Sequence, residues 1–222
     1  MEIVKAVTRL ELTEAFRPFL DLRDLARVAG DNPKAELQGP PFEFTQPQKK
    51  QRVLLHMRAL VLEHEGLSSI EEGAKKAVEL LAKVQAVSPV PKVNRLRFDV
   101  LLIEPYPLPF HELVLLMKKQ YLKDSALVDA STDVGFSFDQ QEGTVVKHFQ
   151  IGPMAPVQLR TTYLTWGPEK LPDCFVFLSL GYERNEEFAF ETKTVESFLQ
   201  TATKWQTGQA EAILETLRLK RS

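Results

Sequence analysis

Residues 42 to 105 constrain the fold more than any other part of the chain, because a strand–helix–strand unit can be predicted there. The run from Arg52 to Glu65 alternates with a period of two, which predicts one extended strand that ends at Gly66. One face of this strand would carry Val53, Leu55, Met57, Ala59 and Val61, and the other Leu54, His56, Arg58, Leu60 and Leu62. The second face mixes apolar and polar side chains, so we expect it to be only partly covered.

A capped amphipathic helix is predicted to follow. Ser68 and Glu71 have the spacing of a capping box, in which the two side chains satisfy backbone N–H groups of the first helical turn. Apolar residues then recur at helical spacing, namely Ile70, Ala74, Ala77, Leu81 and Val84. Pro89 and Pro91 stop the helix. A second strand is predicted from Asn94 to Glu104, with Leu96, Phe98, Val100 and Leu102 on its core face.

This unit resembles an uncharacterised bacterial family of sporadic distribution whose members are about as long as this chain. The resemblance rests on the Phe-x-Phe-Thr segment from Phe42 to Thr45, the strand rich in Leu and Val, the helix that ends near Leu81-x-x-Val84, and the Arg-Leu-Arg-Phe strand at residues 95–98. It implies a bacterial, cytoplasmic α+β protein. It assigns no activity and no site residue.

The remaining chain predicts an antiparallel sheet with helices. A strand is expected over residues 1–13, with Val4, Ala6, Leu10 and Leu12 on one face. Short helices are expected at Leu20–Ala29 and His111–Leu122, and a closing helix begins at Thr194. Four further strands are expected at Val134–Asp139, Thr144–Ile151, Val157–Trp166 and Cys174–Tyr182. We therefore predict an α+β fold with a mainly antiparallel sheet of six to seven strands and three to four helices. It forms one domain, 1–222, or alternatively two closely packed halves, 1–125 and 126–222.

Composition limits the classes of function. Of the 222 residues, 28 are Lys or Arg and 30 are Asp or Glu, so no global charge favours nucleic acid or an anionic membrane. Cys174 is the only cysteine, which excludes an intramolecular disulfide. No apolar run approaches the ~20 residues of a membrane span, and we expect a cytoplasmic protein that does not enter a membrane.

No motif in the sequence specifies a chemistry. The phosphate-binding glycine patterns and the nucleophile elbow are absent. His111 and Glu112 begin like a zinc-protease helix, but Leu115 stands where the second histidine is needed. In Glu63-His64-Glu65, strand alternation turns His64 away from its neighbours. We predict no catalytic residue, no metal site and no cofactor.

One polar cluster is a candidate ligand site. Arg97 and Asp99 lie on one face of their strand, and His56 and Arg58 lie on one face of the earlier strand. If those strands are neighbours, the four side chains gather on one side of the sheet and hold an anion or a carboxylate. The alternative is an ordinary half-exposed sheet face with ion pairs.

A basic run, Lys49, Lys50 and Arg52, is a candidate nucleic-acid site, although nothing in the sequence makes these side chains converge. Three hypotheses follow. The first is a non-enzymatic binding or regulatory protein that contacts a protein partner or a second copy of itself. The second is a ligand-binding or enzymatic pocket on the sheet face. The third, which we consider unlikely, is a nucleic-acid-associated protein.

Overall fold

The structure is a computed structural model that describes residues 1–15, 28–30, 41–87, 89–90, 92–122, 131–168 and 170–219. Within these ranges one eight-stranded antiparallel sheet is combined with four α-helices, which confirms the predicted α+β class. The sheet has one or two strands more than expected. The predicted helix Leu20–Ala29 lies mostly outside the described residues.

The strands are β1 (Glu2–Leu12), β2 (Phe42–Gln46), β3 (Gln51–His56), β4 (Ala59–Glu65), β5 (Val93–Pro105), β6 (Phe136–Glu142), β7 (Val145–Met154) and β8 (Phe175–Phe188). The helices are α1 (Ile70–Val87), α2 (Phe110–Tyr121), α3 (Pro156–Thr162) and α4 (Thr192–Leu219), and a short 3₁₀ helix, Pro47–Lys49, joins β2 to β3.

The order of strands across the sheet is β2-β3-β4-β1-β5-β8-β7-β6. This order is symmetric about the central β1–β5 pair. Strands β1–β4 form one set and strands β5–β8 the other. In each set the first strand lies at the centre of the sheet and the fourth strand pairs with it. A long helix follows the fourth strand, α1 after β4 and α4 after β8. The repeat in strand order divides the chain between α1 and β5. The division of the chain into domains stays a prediction.

The predicted strand from Arg52 to Glu65 is wrong, because the chain reverses at Met57-Arg58 and forms the β3–β4 hairpin. The turn contains no glycine or proline, so the alternation runs through it without a visible break. Because of this turn, the core face carries odd-numbered residues in β3 and even-numbered residues in β4. The core side carries Val53 and Leu55 from β3, but Leu60 and Leu62 from β4.

The predicted strand Val157–Trp166 is also wrong, since residues 156–162 form helix α3. Pro156 occupies the first turn, where its missing N–H costs nothing, and the Gln158 side chain accepts a 2.8 Å hydrogen bond from the Ala155 N–H. Leu159 is the buried anchor of this helix.

The cap of α1 is displaced by one residue from the prediction. The Ser69 hydroxyl accepts a 3.1 Å hydrogen bond from the Glu72 N–H, and the Glu72 carboxylate accepts 2.7 Å bonds from both the N–H and the hydroxyl of Ser68. The motif is therefore built on Ser69 and Glu72 rather than on Ser68 and Glu71.

The main core lies between the sheet and helices α1 and α4. The predicted core residues of α1 and of β5 are all buried there. Val4 is an exception on β1, because the pairing with β5 shifts register between Ile3 and Lys5. Val4 therefore packs in a second cluster on the opposite face of the sheet, with Leu159 of α3, Phe175 and Phe177.

Candidate functional site

A groove lies on the face of the sheet opposite α1 and α4. Helix α3 covers one end of this face through Leu159, and the groove occupies another part of the same face. Its volume is about 560 Å³. We call it the charged groove, and it is lined by Val7, Arg9, Glu11, Leu54, His56, Val61, Glu63, Arg95, Arg97, Asp99 and Glu183.

The floor of the groove holds an ion pair between Arg97 and Asp99. The Arg97 Nε lies 2.9 and 2.8 Å from the two Asp99 oxygens, and Nη2 lies 2.7 Å from Oδ1. Burial raises the pKa of Asp99, while the hydrogen bonds and positive charge of Arg97 act in the opposite direction. The guanidinium only donates, so both Asp99 oxygens act as hydrogen-bond acceptors for Arg97.

Gly181 on β8 makes room for this ion pair. Gly181 is the cross-strand partner of Asp99, and a Cβ atom there would collide with Asp99 Oδ1. The same Cβ would lie 3.2 Å from Arg97 Nη2 and 3.1 Å from the Cβ of His148 on β7. A glycine in the interior of a strand thus has a packing reason here, since only a residue without a side chain lets the two charged groups lie over β8.

The mouth of the groove carries two arginines that share one carboxylate. Arg9 Nε lies 3.1 Å from Glu11 Oε1, and Arg95 Nη1 lies 3.5 Å from Glu11 Oε2. The side chains of Arg9 and Arg95 are 50% and 44% exposed, whereas that of Glu11 is 27% exposed. The two guanidinium groups therefore keep N–H donors that can reach a bound molecule.

Glu183 connects the floor to a histidine at the border of the groove. Its carboxylate is buried and lies 3.5 Å from Arg95, 3.6 Å from Arg97 and 3.4 Å from His148 Nε2. The Nδ1 of His148 lies 2.8 Å from Asp139 on β6. The hydrogen bond between Nδ1 and Asp139 orients the ring so that Nε2 faces Glu183.

Glu63 ends the charged row on the β4 side. Its Oε2 lies 2.9 Å from the buried Lys5 Nζ and 3.4 Å from Arg52 Nη1. Arg52 also pairs with Glu43 at 3.0 Å. The charged side chains on this face are therefore arranged as an alternating network in which each buried carboxylate meets at least one cation.

The structure brings three of the four predicted ligand residues together. His56, Arg97 and Asp99 line the charged groove, whereas Arg58 is an exposed residue of the β3–β4 turn and does not. The condition that the two strands be neighbours is not met, because β4 and β1 lie between β3 and β5. The side chains still share one groove, and the two strands between them add Val61 and Glu63 from β4 and Val7, Arg9 and Glu11 from β1 to its lining.

The three basic residues of the nucleic-acid hypothesis separate. Lys49 and Lys50 line a different cavity of about 490 Å³ together with Lys76 and Lys83 of α1. Arg52 lies on the opposite face of the sheet, in its ion pairs with Glu43 and Glu63. This arrangement does not gather the predicted basic run into one surface.

Five charged residues of the groove lining were not predicted from the sequence as ligand residues, namely Arg9, Glu11, Glu63, Arg95 and Glu183. A signal was available for Arg9 and Glu11, since they alternate with the core residues Leu10 and Leu12. Glu183 carried no such signal, because β8 extends six residues beyond the predicted end at Tyr182.

His64 and Cys174 are both buried, and we assign them a structural role. His64 is buried on the helix side of the sheet, and burial lowers its pKa to about 4, with the nearby Lys76 charge adding to the effect. Cys174 is buried, and burial raises the pKa of its thiol. In the part of the chain that the structure describes, no three His, Cys, Asp or Glu side chains are grouped so as to hold a metal ion.

Comparisons with known proteins give no assignment. No protein-family model matches this chain, and no curated protein matches it. The resemblance to an uncharacterised bacterial family stays a prediction. No helix among the described residues is long and apolar enough to cross a membrane.

Proposed function

We propose that this protein is a binding protein whose charged groove holds a small polar molecule with both an anionic group and a hydrogen-bond-donating or cationic group. The observation that carries this proposal is the pair of half-exposed arginines at the groove mouth, Arg9 and Arg95. Both pair with Glu11 and keep further N–H donors, although Arg95 Nε also donates to Asn185 and lies 3.5 Å from Glu183. A guanidinium binds a carboxylate or phosphate through two parallel hydrogen bonds.

The size and charge of the groove support a small ligand of mixed charge. A volume of about 560 Å³ lies in the range of small-molecule sites. Three arginines and four carboxylates line the groove, so its wall offers donors at the mouth and acceptors on the floor. A polyanion such as nucleic acid would meet the carboxylates of Glu63, Asp99 and Glu183, which disfavours it.

The ion pairs of the floor also favour binding because they fix the floor side chains before a ligand arrives. The side chains of Asp99 and Glu183 are only 17% and 7% exposed, and both are held by Arg97. Groups that are already fixed in the free protein lose little conformational freedom when a ligand arrives. We therefore assign the floor a positioning role and the mouth the role of anchoring the anionic group.

A thermal-shift experiment with amino acids and dipeptides tests the proposal. These zwitterions should raise the melting temperature of the natural protein, and carboxylates of the same size without an amino group should raise it less. In the variant Arg9→Gln/Arg95→Gln the shift should be lost. In the control Arg184→Gln, which changes an arginine paired with Glu186 outside the groove lining, it should remain. Equal shifts in all three proteins, or no shift with any probe, would contradict the proposal.

The hypothesis of a protein partner remains a second candidate. One observation favours it, namely that strand β6 forms an exposed edge of the sheet. A cytoplasmic location stays a prediction.

A further inference from the structure

The two edges of the sheet differ in exposure. In β6, six of the seven residues are exposed, from Ser137 to Glu142. In β2, at the other edge, no residue is exposed and Phe44 is fully buried. Edge strands are usually protected because their unpaired N–H and C=O groups can pair with another strand. The β6 edge lacks such protection by burial.

The β6–β7 hairpin determines which backbone groups of β6 remain free. Glu142 pairs with Val145 across a two-residue turn whose Gly143 has a φ of +61°. In a hairpin of this kind the closing pair exchanges both hydrogen bonds, and every second residue along the strand does the same. The N–H and C=O groups of Ser137, Asp139 and Gln141 therefore point away from β7, towards the open edge.

We infer that two copies of this chain pair through β6, antiparallel, about a twofold axis that passes next to Phe138. In this register Phe138 faces Phe138 of the second copy, Ser137 faces Asp139 of the second copy, and Phe136 faces Gln140 of the second copy. The hydrogen bonds then come from the free groups of Ser137 and Asp139. The two sheets join into one continuous sheet.

Phe138 supplies an apolar reason for this pairing. Its side chain is 54% exposed although it stacks on Phe149 of β7, with ring centroids 4.6 Å apart and planes at 15°. Phe149 in turn contacts Trp205 of α4, with centroids 5.2 Å apart. A second copy would bury the exposed face of Phe138 against an identical ring and extend this aromatic row across the interface.

Charge and side-chain pairing favour this register over registers whose axis passes through another residue of β6. An axis at Asp139 would place two Asp139 carboxylates opposite each other, and like charges in that position are destabilising. An axis at Gln140 would place Phe138 opposite Glu142. An axis at Ser137 would pair only residues 136–138 and leave residues 139–142 without partners in β6 of the second copy. The register centred on Phe138 places no like charges directly opposite each other.

The chain already contains one junction of this kind. The antiparallel β1–β5 pair joins two sets of four strands that have the same order, and the long helices of both sets lie on the same face. Pairing of β6 with a second β6 about an axis perpendicular to the sheet would again place the helices of both copies on one face.

Cross-linking tests the register. Phe138→Cys places a thiol at the twofold axis, where Cβ atoms of a pair without hydrogen bonds are close enough for a disulfide. Under mild oxidation this variant should form a covalent dimer. The buried Cys174 does not interfere. The control Val157→Cys, at a position 65% exposed on α3, should stay monomeric under the same conditions.

Mass measurement tests the interface without a cross-link. By light scattering after size exclusion, the natural protein should show twice the mass of one chain at high concentration and dissociate on dilution. Ser137→Pro removes an N–H that faces the open edge and should give a monomer with an unchanged circular dichroism spectrum, whereas Ser137→Ala should behave like the natural protein. A natural protein with the mass of one chain at every concentration, or a dimer that Ser137→Pro leaves intact, would overturn the inference.

Discussion

The carboxylate of Glu65, at the end of β4, accepts a 2.7 Å hydrogen bond from the backbone N–H of Gly167, in the loop between α3 and β8. The N–H groups of Thr165 and Trp166 donate to the same carboxylate at 2.7 and 3.1 Å. Three successive N–H groups thus enclose one buried anion. This contact ties the loop after α3 to the opposite half of the sheet and fixes one end of the face that carries the charged groove.

Replacement of Glu65 by Gln should lower the free energy of unfolding by about 2–3 kcal/mol. The amide keeps one oxygen acceptor, but its NH₂ group would face N–H donors that then have no partner. Urea denaturation followed by circular dichroism measures the change. The matched control is Glu79→Gln, an exposed change on α1 that should alter stability by less than about 0.5 kcal/mol.

A result in which Glu65→Gln and Glu79→Gln unfold at the same urea concentration would show that the three hydrogen bonds contribute nothing net to stability. Proteolysis gives an independent readout. The loop at residues 163–168 should be cleaved faster in Glu65→Gln than in the natural protein, because the substitution weakens its only hydrogen-bonded anchor to β4 among the contacts that the structure describes.

Replacement of Gly181 by Ala should disturb the floor of the charged groove. The added methyl group would collide with Asp99 Oδ1 and approach Arg97 Nη2 to 3.2 Å, so the ion pair must move or β8 must shift. We expect a loss of about 1–3 kcal/mol in the free energy of unfolding, typical of an overpacked site. Gly135→Ala is the control, since its new Cβ would have one ordinary contact at 3.9 Å. Equal stability of the two variants would contradict the close approach of Asp99 to β8.

The sequence predicts this fold best where one period governs a whole element. The helical spacing from Ile70 to Val84 and the alternation from Leu96 to Leu102 both appear in the buried core as expected. The prediction fails where a period continues through a change of direction, as at Met57-Arg58, or where a short helix has β-branched residues, as in α3.

The groove was only partly predictable for a different reason. Alternation places Arg97 and Asp99 on the face away from the core, and that is confirmed. The strand order determines which other side chains join them, and no local pattern states that β1 and β4 lie between β3 and β5. Arg9 and Glu183 enter the groove through pairings between residues far apart in the chain, which depend on the whole sheet.

Stability should fall as the pH drops from about 6.5 to about 4 because of His64. Burial lowers its pKa from 6.5 to about 4, so in this window the unfolded chain binds a proton that the folded chain does not. At about 1.4 kcal/mol for each unit, the loss approaches about 3 kcal/mol at the acid end of the window. Urea denaturation at several pH values measures it.

The variant His64→Leu should show a smaller decrease in stability over this window. Glu79→Gln is the control, since Glu79 is an exposed residue of α1 and is not among the charges that shift the pKa of His64. Glu72 is unsuitable as a control, because its charge raises the pKa of His64. Hydrogen bonds from Lys76 and Ser68 also lower the pKa of Glu72 to about 2, so its own contribution is lost between pH 4.5 and 2 and overlaps the acid end of the window. An unchanged slope between pH 6.5 and 4 in His64→Leu would refute the assignment to His64.

Two glycines inside helices should respond to alanine with opposite signs. Alanine favours a helix over glycine by about 1 kcal/mol, so Gly208→Ala in α4 should raise the free energy of unfolding, because nothing lies within 4 Å of its new Cβ. Gly73→Ala in α1 should lower it by about 1–3 kcal/mol, because its Cβ would lie 2.8 Å from the Cβ of Ala6 on β1. Packing therefore outweighs propensity at Gly73 and not at Gly208. The double variant Ala6→Gly/Gly73→Ala removes the closest contact and leaves the one with Leu67 Cδ1 at 3.1 Å, so its unfolding free energy should exceed the value expected if the two single losses were additive. Additive losses would mean that the approach of α1 to β1 does not require a glycine.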